Sequence, residues 1–164
     1  MSERQHDGGP RRGVSGRADG DAVDLRDFEA TMDPFRIAVA GWGLFIQIRT
    51  PLTNNDRHAF IELLKSSLAR VQTMEHRALL LDLREIDVAN DPEERINAYT
   101  GMARLLGAQR FAVVVSSQAC AARIDAVLDS TGMRDSDRVL IAGVGDRHAL
   151  LPALEWVDPP ADPG

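Results

Sequence analysis

Residues 77–83, RALLLDL, decide the fold that we expect for this chain. Residues 78–83 form a short, almost unbroken apolar run with charged residues on either side. Such a strand needs cover on both faces, which is typical of the central strand of an α/β sheet. Its one charged residue, Asp82, lies near the carboxyl end, where open α/β sheets carry their functional loops. We therefore expect functional residues in the loop that follows.

That loop leads into a well-specified helix start, residues 90–94. Asp91 is predicted as the N-cap of the helix and Pro92 as its first residue. Glu93 and Glu94 complement the positive end of the helix dipole. Together with Asn90, these residues form an acidic helix start beyond the end of the central strand.

The rest of the chain alternates between strand and helix patterns. The order β-β-α-β-α-β-α-β-α predicts an α/β fold with a mostly parallel central sheet and an antiparallel N-terminal hairpin. Gly41 and Gly43 allow the tight turn of that hairpin. The predicted strands are 35–40, 44–49, 78–83, 111–115 and 139–142, and the predicted helices end near residues 73, 106, 131 and 157.

Each of the first three helices has an apolar stripe at helical spacing. In the first helix, Ile61 and Leu63 are expected to widen the stripe. The stripes are Phe60, Leu64, Leu68 and Val71, then Ile96, Tyr99, Ala103 and Leu106, then Cys120, Ile124, Val127 and Leu128. The predicted caps are Thr53, Asn54 or Asn55 for the first helix and Ser116 or Ser117 for the third, with Gly107 and Gly132 as stops.

Length and composition predict one domain at residues 34–157, within a chain of 164 residues. Residues 1–33 contain few large apolar side chains, so we expect a disordered tail. The Pro-rich residues 158–164 are expected to fray.

Net charge and cysteine content argue against several classes of function. The net charge of -6 argues against nonspecific binding of nucleic acid, which needs a basic surface. A single cysteine excludes an internal disulfide and fits a reducing cytoplasm. No apolar run approaches the ~20 residues of a membrane span, and no apolar signal core is evident. We expect a cytoplasmic protein that binds neither membrane nor cofactor.

The hairpin, the central strand, the loop into 90–91 and the strand 111–115 together resemble the STAS domain family (sulphate transporter and anti-sigma antagonist), especially its SpoIIAA-like branch. The helix end at residues 128–133 and the tail at 149–156 also fit. The resemblance covers about residues 35–157. It rests on apolar runs and glycine placement and includes no catalytic signature.

In anti-sigma antagonists of this family, an Asp-Ser or Asp-Thr pair opens the second helix, and a partner kinase phosphorylates the hydroxyl. The resemblance places Asn90-Asp91 at that pair, so Asp91 occupies the phosphoacceptor position. A carboxylate suits a helix N-terminus but carries less charge than a phosphate. The chain is then either fixed in one state or serves a different partner, unless Asp91 is only a cap.

Asp82 also suggests a response-regulator receiver, with Asp82 as the phosphoacceptor. That activity needs further acidic residues to hold magnesium, and glycines occupy the positions where they would stand. The alternative is a strand-end carboxylate satisfied by hydrogen bonds from loop amides. At residues 143–146, a turn with Asp146 as a helix cap is favoured over an anion cradle, because Asp146 is itself negative.

The remaining reactive side chains do not form a recognisable catalytic or metal site. Cys120 falls on an inward stripe and is expected to be a small core residue. Ser116 and Ser117 lack a Gly-rich elbow and a paired base. The four histidines show no ligand spacing to one another or to a cysteine: His6, His58, His76 and His148.

Trp42, in the hairpin turn, has no core pattern to explain it. Tryptophan is enriched at binding hot spots, so Trp42 is either a partner contact or a residue that folds back over the end of the sheet.

We expect a non-enzymatic regulatory module that binds a protein partner through Asn90, Asp91, Glu93, Glu94 and Trp42. The resemblance makes an anti-sigma-like kinase, or another regulator, the candidate partner. The second hypothesis is a small apolar, lipid-like ligand held between sheet and helices, as in lipid-carrier relatives of this fold.

Overall fold

The computed structural model describes residues 33–131, 137–141 and 150–159. Within these ranges, strands and helices follow the predicted order, with one additional 3-10 turn, Val88–Asn90. The strands are β1 (Phe35–Ala40), β2 (Gly43–Ile48), β3 (Ala78–Asp82), β4 (Arg110–Val115) and β5 (Asp137–Ile141). The helices are α1 (Asn54–Val71), α2 (Glu93–Leu106), α3 (Gln118–Thr131) and α4 (Leu151–Val157).

The five strands form one mixed sheet in the order β1-β2-β3-β4-β5. β1 and β2 pair as an antiparallel hairpin, and β2 to β5 are parallel. This confirms the predicted α/β sheet with its N-terminal hairpin. Each parallel connection steps to the next strand in the same direction, so right-handed crossovers place α1, α2 and α3 on one face.

The larger core lies between that face and the three helices. Alternate residues of β2, β3 and β4 point into it, including Ile46, Leu81 and Val113, which are fully buried. Ile96 from α2 and Ile124 from α3 meet them. At about 25 cal/mol per Å² of apolar surface, a core of this size is the main driving force for folding.

A smaller core covers the opposite face of the sheet. Phe45, Leu80 and Val114 point into it from three neighbouring strands, and α4 packs over them through Ala153 and Val157. All five residues of β3 are therefore buried. The prediction that residues 78–83 form an interior strand with cover on both faces is confirmed for Ala78–Asp82, where β3 ends.

Gly43 marks the point where the hairpin turns into the parallel sheet. Its φ is +146°, and a Cβ atom there would collide with the backbone of Ala78. The Ala78 N–H donates to the Trp42 carbonyl at 2.9 Å. Only glycine allows the two strands to approach so closely at this position.

Three of the predicted helix boundary residues have their predicted roles in the structure. Thr53 caps α1 in a reciprocal capping box with Asp56, and Gly107 ends α2 in the left-handed conformation. The Ser117 Oγ accepts from the Cys120 N–H at 3.2 Å, so Ser117 caps α3.

The predicted widening of the α1 stripe is wrong. Ile61 and Leu63 are 47% and 42% exposed, because the sheet contacts only the face of α1 that carries Phe60, Leu68 and Val71.

Some predictions concern residues outside the described ranges. These are the disordered tail at 1–33, of which only residue 33 is described, the stop at Gly132, the turn at 143–146 with its cap Asp146, His6 and His148, and the end of the chain beyond residue 159.

Candidate functional site

The carboxyl end of β3 is fixed by a buried polar cluster around Asp82, which is 1% exposed. Asp82 Oδ1 accepts from the backbone N–H and the Nε of Arg84 at 3.1 and 2.9 Å. Its Oδ2 accepts from Arg84 Nη2 at 3.0 Å and from Gln47 Nε2 at 2.9 Å. The interpretation of Asp82 as a satisfied strand-end carboxylate is confirmed, but only one of these four donors is a loop amide; two are guanidinium nitrogens and one is the Gln47 side chain. Because both oxygens are engaged and buried, Asp82 is poorly placed to accept a phosphoryl group.

The loop after β3 is held in place from α3. Arg123 Nη1 donates to the Ala89 carbonyl at 3.1 Å, and its Nη2 donates to the Asp91 carbonyl at 3.0 Å. Val88 is fully buried beneath this loop, inside the 3-10 turn. One arginine thereby fixes two of the backbone carbonyl groups before α2, and the start of that helix has a defined position.

The prediction that Asp91 is the N-cap of α2 is wrong. The helix begins at Glu93 with Pro92 in the cap position, and no side chain in the described ranges makes a capping hydrogen bond there. The 3-10 turn ends at Asn90 with Asp91 as its C-cap, and α2 starts one residue later than predicted. The Asp91 carboxylate instead forms an ion pair with Arg95, one turn along the helix, with Oδ1 to Nη1 at 3.1 Å.

Asp91 is also less accessible than predicted. Its side chain is 12% exposed, and Oδ2 is buried with no hydrogen-bond donor among the described residues. The resemblance places a phosphorylated hydroxyl at this position. Here the position holds a carboxylate that is already paired with a cation.

Tyr99 lies one turn beyond Arg95 on α2. Burial, and next the negative charge of Asp91, raise the pKa of Tyr99 from 10.0 to about 12, against the opposing effect of Arg95 and Arg57. The phenol therefore remains protonated at every physiological pH and can act as a hydrogen-bond donor.

A groove of about 350 Å³ runs between α1 and α2, and we call it the α1–α2 groove. Its floor is apolar and belongs to the larger core, while its borders carry charge. The apolar lining consists of Ile48, Leu52, Phe60, Ile61, Pro92, Ala98, Tyr99 and Met102. The charged lining consists of Arg57, Glu94 and Arg95.

The acidic helix start borders this groove. Glu93 and Glu94 are exposed on the first turn of α2. Asn90 is exposed as well, but its amide donates to the Asp87 carboxylate at 2.6 Å, which ties it to the turn. The structure thus brings four of the five predicted partner residues together: Asn90, Asp91, Glu93 and Glu94.

Trp42 does not join them. It lies before β2, at the opposite end of the sheet from the acidic helix start, and it is 6% exposed within the smaller core. The alternative that Trp42 folds back over the end of the sheet is the one that the structure shows. The alternative prediction, that Trp42 is an exposed partner contact, is therefore wrong.

Cys120 is buried, as expected for a core residue. Within the described ranges, no three His, Cys, Asp or Glu side chains come together in a way that suits a metal ion. None of the helices described is both long and apolar enough to cross a membrane.

Sequence reasoning missed Arg123, Arg57 and the groove itself. Arg123 is separated from Asp91 by 32 residues, and no local pattern links them. The exposed Ile61 was the one signal of the groove, but it was assigned to the buried stripe.

Comparison with known proteins gives no assignment: no protein-family model matches the chain, and no curated protein matches it.

Proposed function

We propose that this chain is a non-catalytic regulatory module of the STAS kind, which binds a protein partner across the α1–α2 groove and the acidic start of α2. The observation that carries the proposal is the position of this groove, directly beside a helix start that Arg123 holds rigid. An apolar groove with a charged border is a common recognition surface for an amphipathic helix.

The partner chemistry follows from the lining. The exposed Ile61 and the partly buried Leu52 and Met102 suit apolar side chains spaced three to four residues apart. Glu93 and Glu94 suit a basic residue at one end of that segment. We therefore propose an amphipathic helix with a basic end as the bound element, presented by a kinase of the anti-sigma type or by another regulator.

The STAS resemblance adds a proposal about regulation. A family member with a hydroxyl at position 91 would be switched by phosphorylation, and Asp91 removes that hydroxyl. The ion pair between Asp91 and Arg95 supports a module that remains in one binding state.

Affinity purification from the native cell, with variants of the full chain as bait, tests the protein-binding proposal. Ile61→Asp puts a charge at the groove, and Glu94→Arg reverses a charge at the helix start. Leu105→Asp is the matched control, because Leu105 is an exposed apolar residue of α2 outside the groove lining.

A partner that wild type and Leu105→Asp recover equally should be reduced about tenfold or more with Ile61→Asp and with Glu94→Arg, as expected for a hot-spot contact. Equal recovery with all four proteins would rule this surface out. Thermal unfolding of each variant checks that it is folded.

A second candidate is a small apolar ligand in the same groove. The volume of about 350 Å³ and the largely apolar lining support it, since ligand pockets commonly span ~300–1,000 Å³. The protonated Tyr99 hydroxyl would supply the polar contact. Native mass spectrometry of protein purified from its own cells separates the two candidates. A retained small molecule that is lost with Ile61→Asp supports the ligand, and its absence supports the protein partner.

A further inference from the structure

The opposite end of the sheet contains a second cleft, of about 370 Å³, which we call the strand-start pocket. It opens where β2, β3 and β4 begin, between the hairpin turn and the end of α4. The residues that matter are His76, Arg77, Gln109, Arg110, Asp158 and the wall residue Trp42. The lining contains two arginines and one aspartate, although the whole chain has a net charge of -6.

The side chain of Arg77 contains a buried hydrogen-bond donor without a partner in the described part of the chain. Its Nε is buried and has no hydrogen-bond acceptor among the described residues. No carboxylate in the described ranges forms an ion pair with its guanidinium. A buried donor without an acceptor costs about 1–3 kcal/mol, and more for a charged group, so native structures seldom leave one.

The residues around Arg77 are placed as an anion site would require. Arg110 donates from Nη1 to the Trp156 carbonyl at 3.0 Å, and its guanidinium lies 4.5 Å from the centre of the Trp156 ring. These contacts fix the orientation of Arg110 at the pocket wall and leave further N–H groups of the same guanidinium for a ligand. Gln109 is bonded to the backbone of Arg77, with its N–H donating to the Arg77 carbonyl at 2.7 Å, which keeps the two neighbouring strands in register.

We propose that the strand-start pocket binds a small phosphate monoester, with the phosphate on Arg77 and Arg110 and the organic part against Trp42. A guanidinium presents a fork of donors that matches phosphate oxygens, and the His76 ring supplies a further N–H. Two guanidinium groups and an imidazole offer more donors than the two oxygens of a carboxylate can accept. A pocket of this volume holds a small metabolite rather than a polymer.

Thermal unfolding and titration calorimetry of the full chain test this proposal, with inorganic phosphate, ribose 5-phosphate and acetate as probes. Arg77→Met keeps the apolar stem and removes the charge. Arg70→Met is the matched control, because Arg70 is an exposed arginine on α1, away from the pocket.

The expected result is that ribose 5-phosphate raises the melting temperature of wild type and of Arg70→Met, and inorganic phosphate does so more weakly. Arg77→Met should bind ribose 5-phosphate about tenfold or more weakly, as expected for the loss of charged hydrogen bonds. Without ligand, Arg77→Met should melt no lower than wild type, because the unpaired buried donor is gone.

Three outcomes would overturn the proposal. The first is no shift of the wild-type melting temperature with either phosphate probe. The second is an equal shift in Arg77→Met, and the third is a response to acetate as strong as the response to ribose 5-phosphate. A loss of stability in ligand-free Arg77→Met would assign Arg77 a structural role and contradict the proposal as well.

Discussion

The two ends of the sheet differ in how their charges are paired. At the carboxyl end, three arginines near the loop after β3 have acidic or carbonyl partners: Arg84 with Asp82, Arg95 with Asp91, and Arg123 with two carbonyl groups. At the amino end, Arg77 has a buried nitrogen for which the described part of the chain offers no acceptor. The clefts at the two ends have similar volumes of about 350 and 370 Å³.

This difference indicates how each end works. Paired charges hold a loop in one conformation, so the carboxyl end presents a preformed surface with an apolar groove. At the amino end, the Arg77 guanidinium forms no ion pair within the described ranges, so it is free to bind an anionic ligand under the proposal above. Cleft volume does not distinguish the two ends. Both ends also have buried polar atoms without a partner among the described residues, such as Asp91 Oδ2 and Arg77 Nε. The ends differ in their arginines, because Arg84 and Arg95 form ion pairs whereas Arg77 forms none within the described ranges.

The largest expected effect is the difference in the free energy of unfolding between a variant at Asp82 and a variant at Arg77. Asp82→Ala leaves Arg84 and Gln47 buried without their acceptor, so we expect a loss of about 3–5 kcal/mol in the free energy of unfolding. Arg77→Met should keep the full free energy of unfolding of the wild type. Urea denaturation measures both.

Glu85→Ala is the control for Asp82, because Glu85 forms a more exposed ion pair with Arg49, and such pairs contribute about 0–1 kcal/mol. If Asp82→Ala loses no more than Glu85→Ala, the carboxyl end is not the fixed scaffold that the contacts indicate.

An intermediate effect is expected from Arg123→Met. This variant removes two charged hydrogen bonds to the loop before α2, and we expect a loss of about 2 kcal/mol in the free energy of unfolding. Amide hydrogen exchange should become faster at residues 88–94 while the strands keep their protection. Arg70→Met, at an exposed position of α1, should change neither quantity. Unchanged exchange at 88–94 would show that Arg123 does not fix the loop.

The smallest effect concerns Tyr99, the one tyrosine of the chain. Its absorbance titration should have a midpoint near pH 12, and Asp91→Asn should lower the pKa because it removes a negative charge. Since the pKa is higher in the folded state than the ordinary value of 10.0, this group's contribution to stability is complete below pH 10. That contribution is lost as the pH rises from 10 to about 12. A midpoint near 10 in the folded protein would contradict the burial of this ring beside Asp91.

Local sequence signals predicted the sheet well. The apolar run at 78–83 identified the interior strand, Gly107 identified the end of α2, and the polar residues 53–55 identified the start of α1. Each of these features depends on residues that are close in sequence. The hairpin was found because the two glycines around Trp42 lie between two apolar runs.

The candidate site was predicted less completely, because it depends on contacts between distant residues. Asp91 was predicted as a cap from the local sequence, Asp followed by Pro and two Glu, but the 3-10 turn and the contact with Arg123 fix its conformation. The burial of Trp42 depends on α4, more than 100 residues later. The pairing of Gln47 with Asp82 needed the strand register, which the hydrophobic pattern does not specify.

The smaller core also constrains how the protein is made. Phe45, Leu80 and Val114 emerge from the ribosome long before the residues of α4 that cover them. Until residues 150–157 leave the ribosome, one face of the sheet in the nascent chain remains an exposed apolar surface. Completion of the native state therefore waits for the end of translation of this domain, and the intermediate before it is the species that a chaperone would recognise.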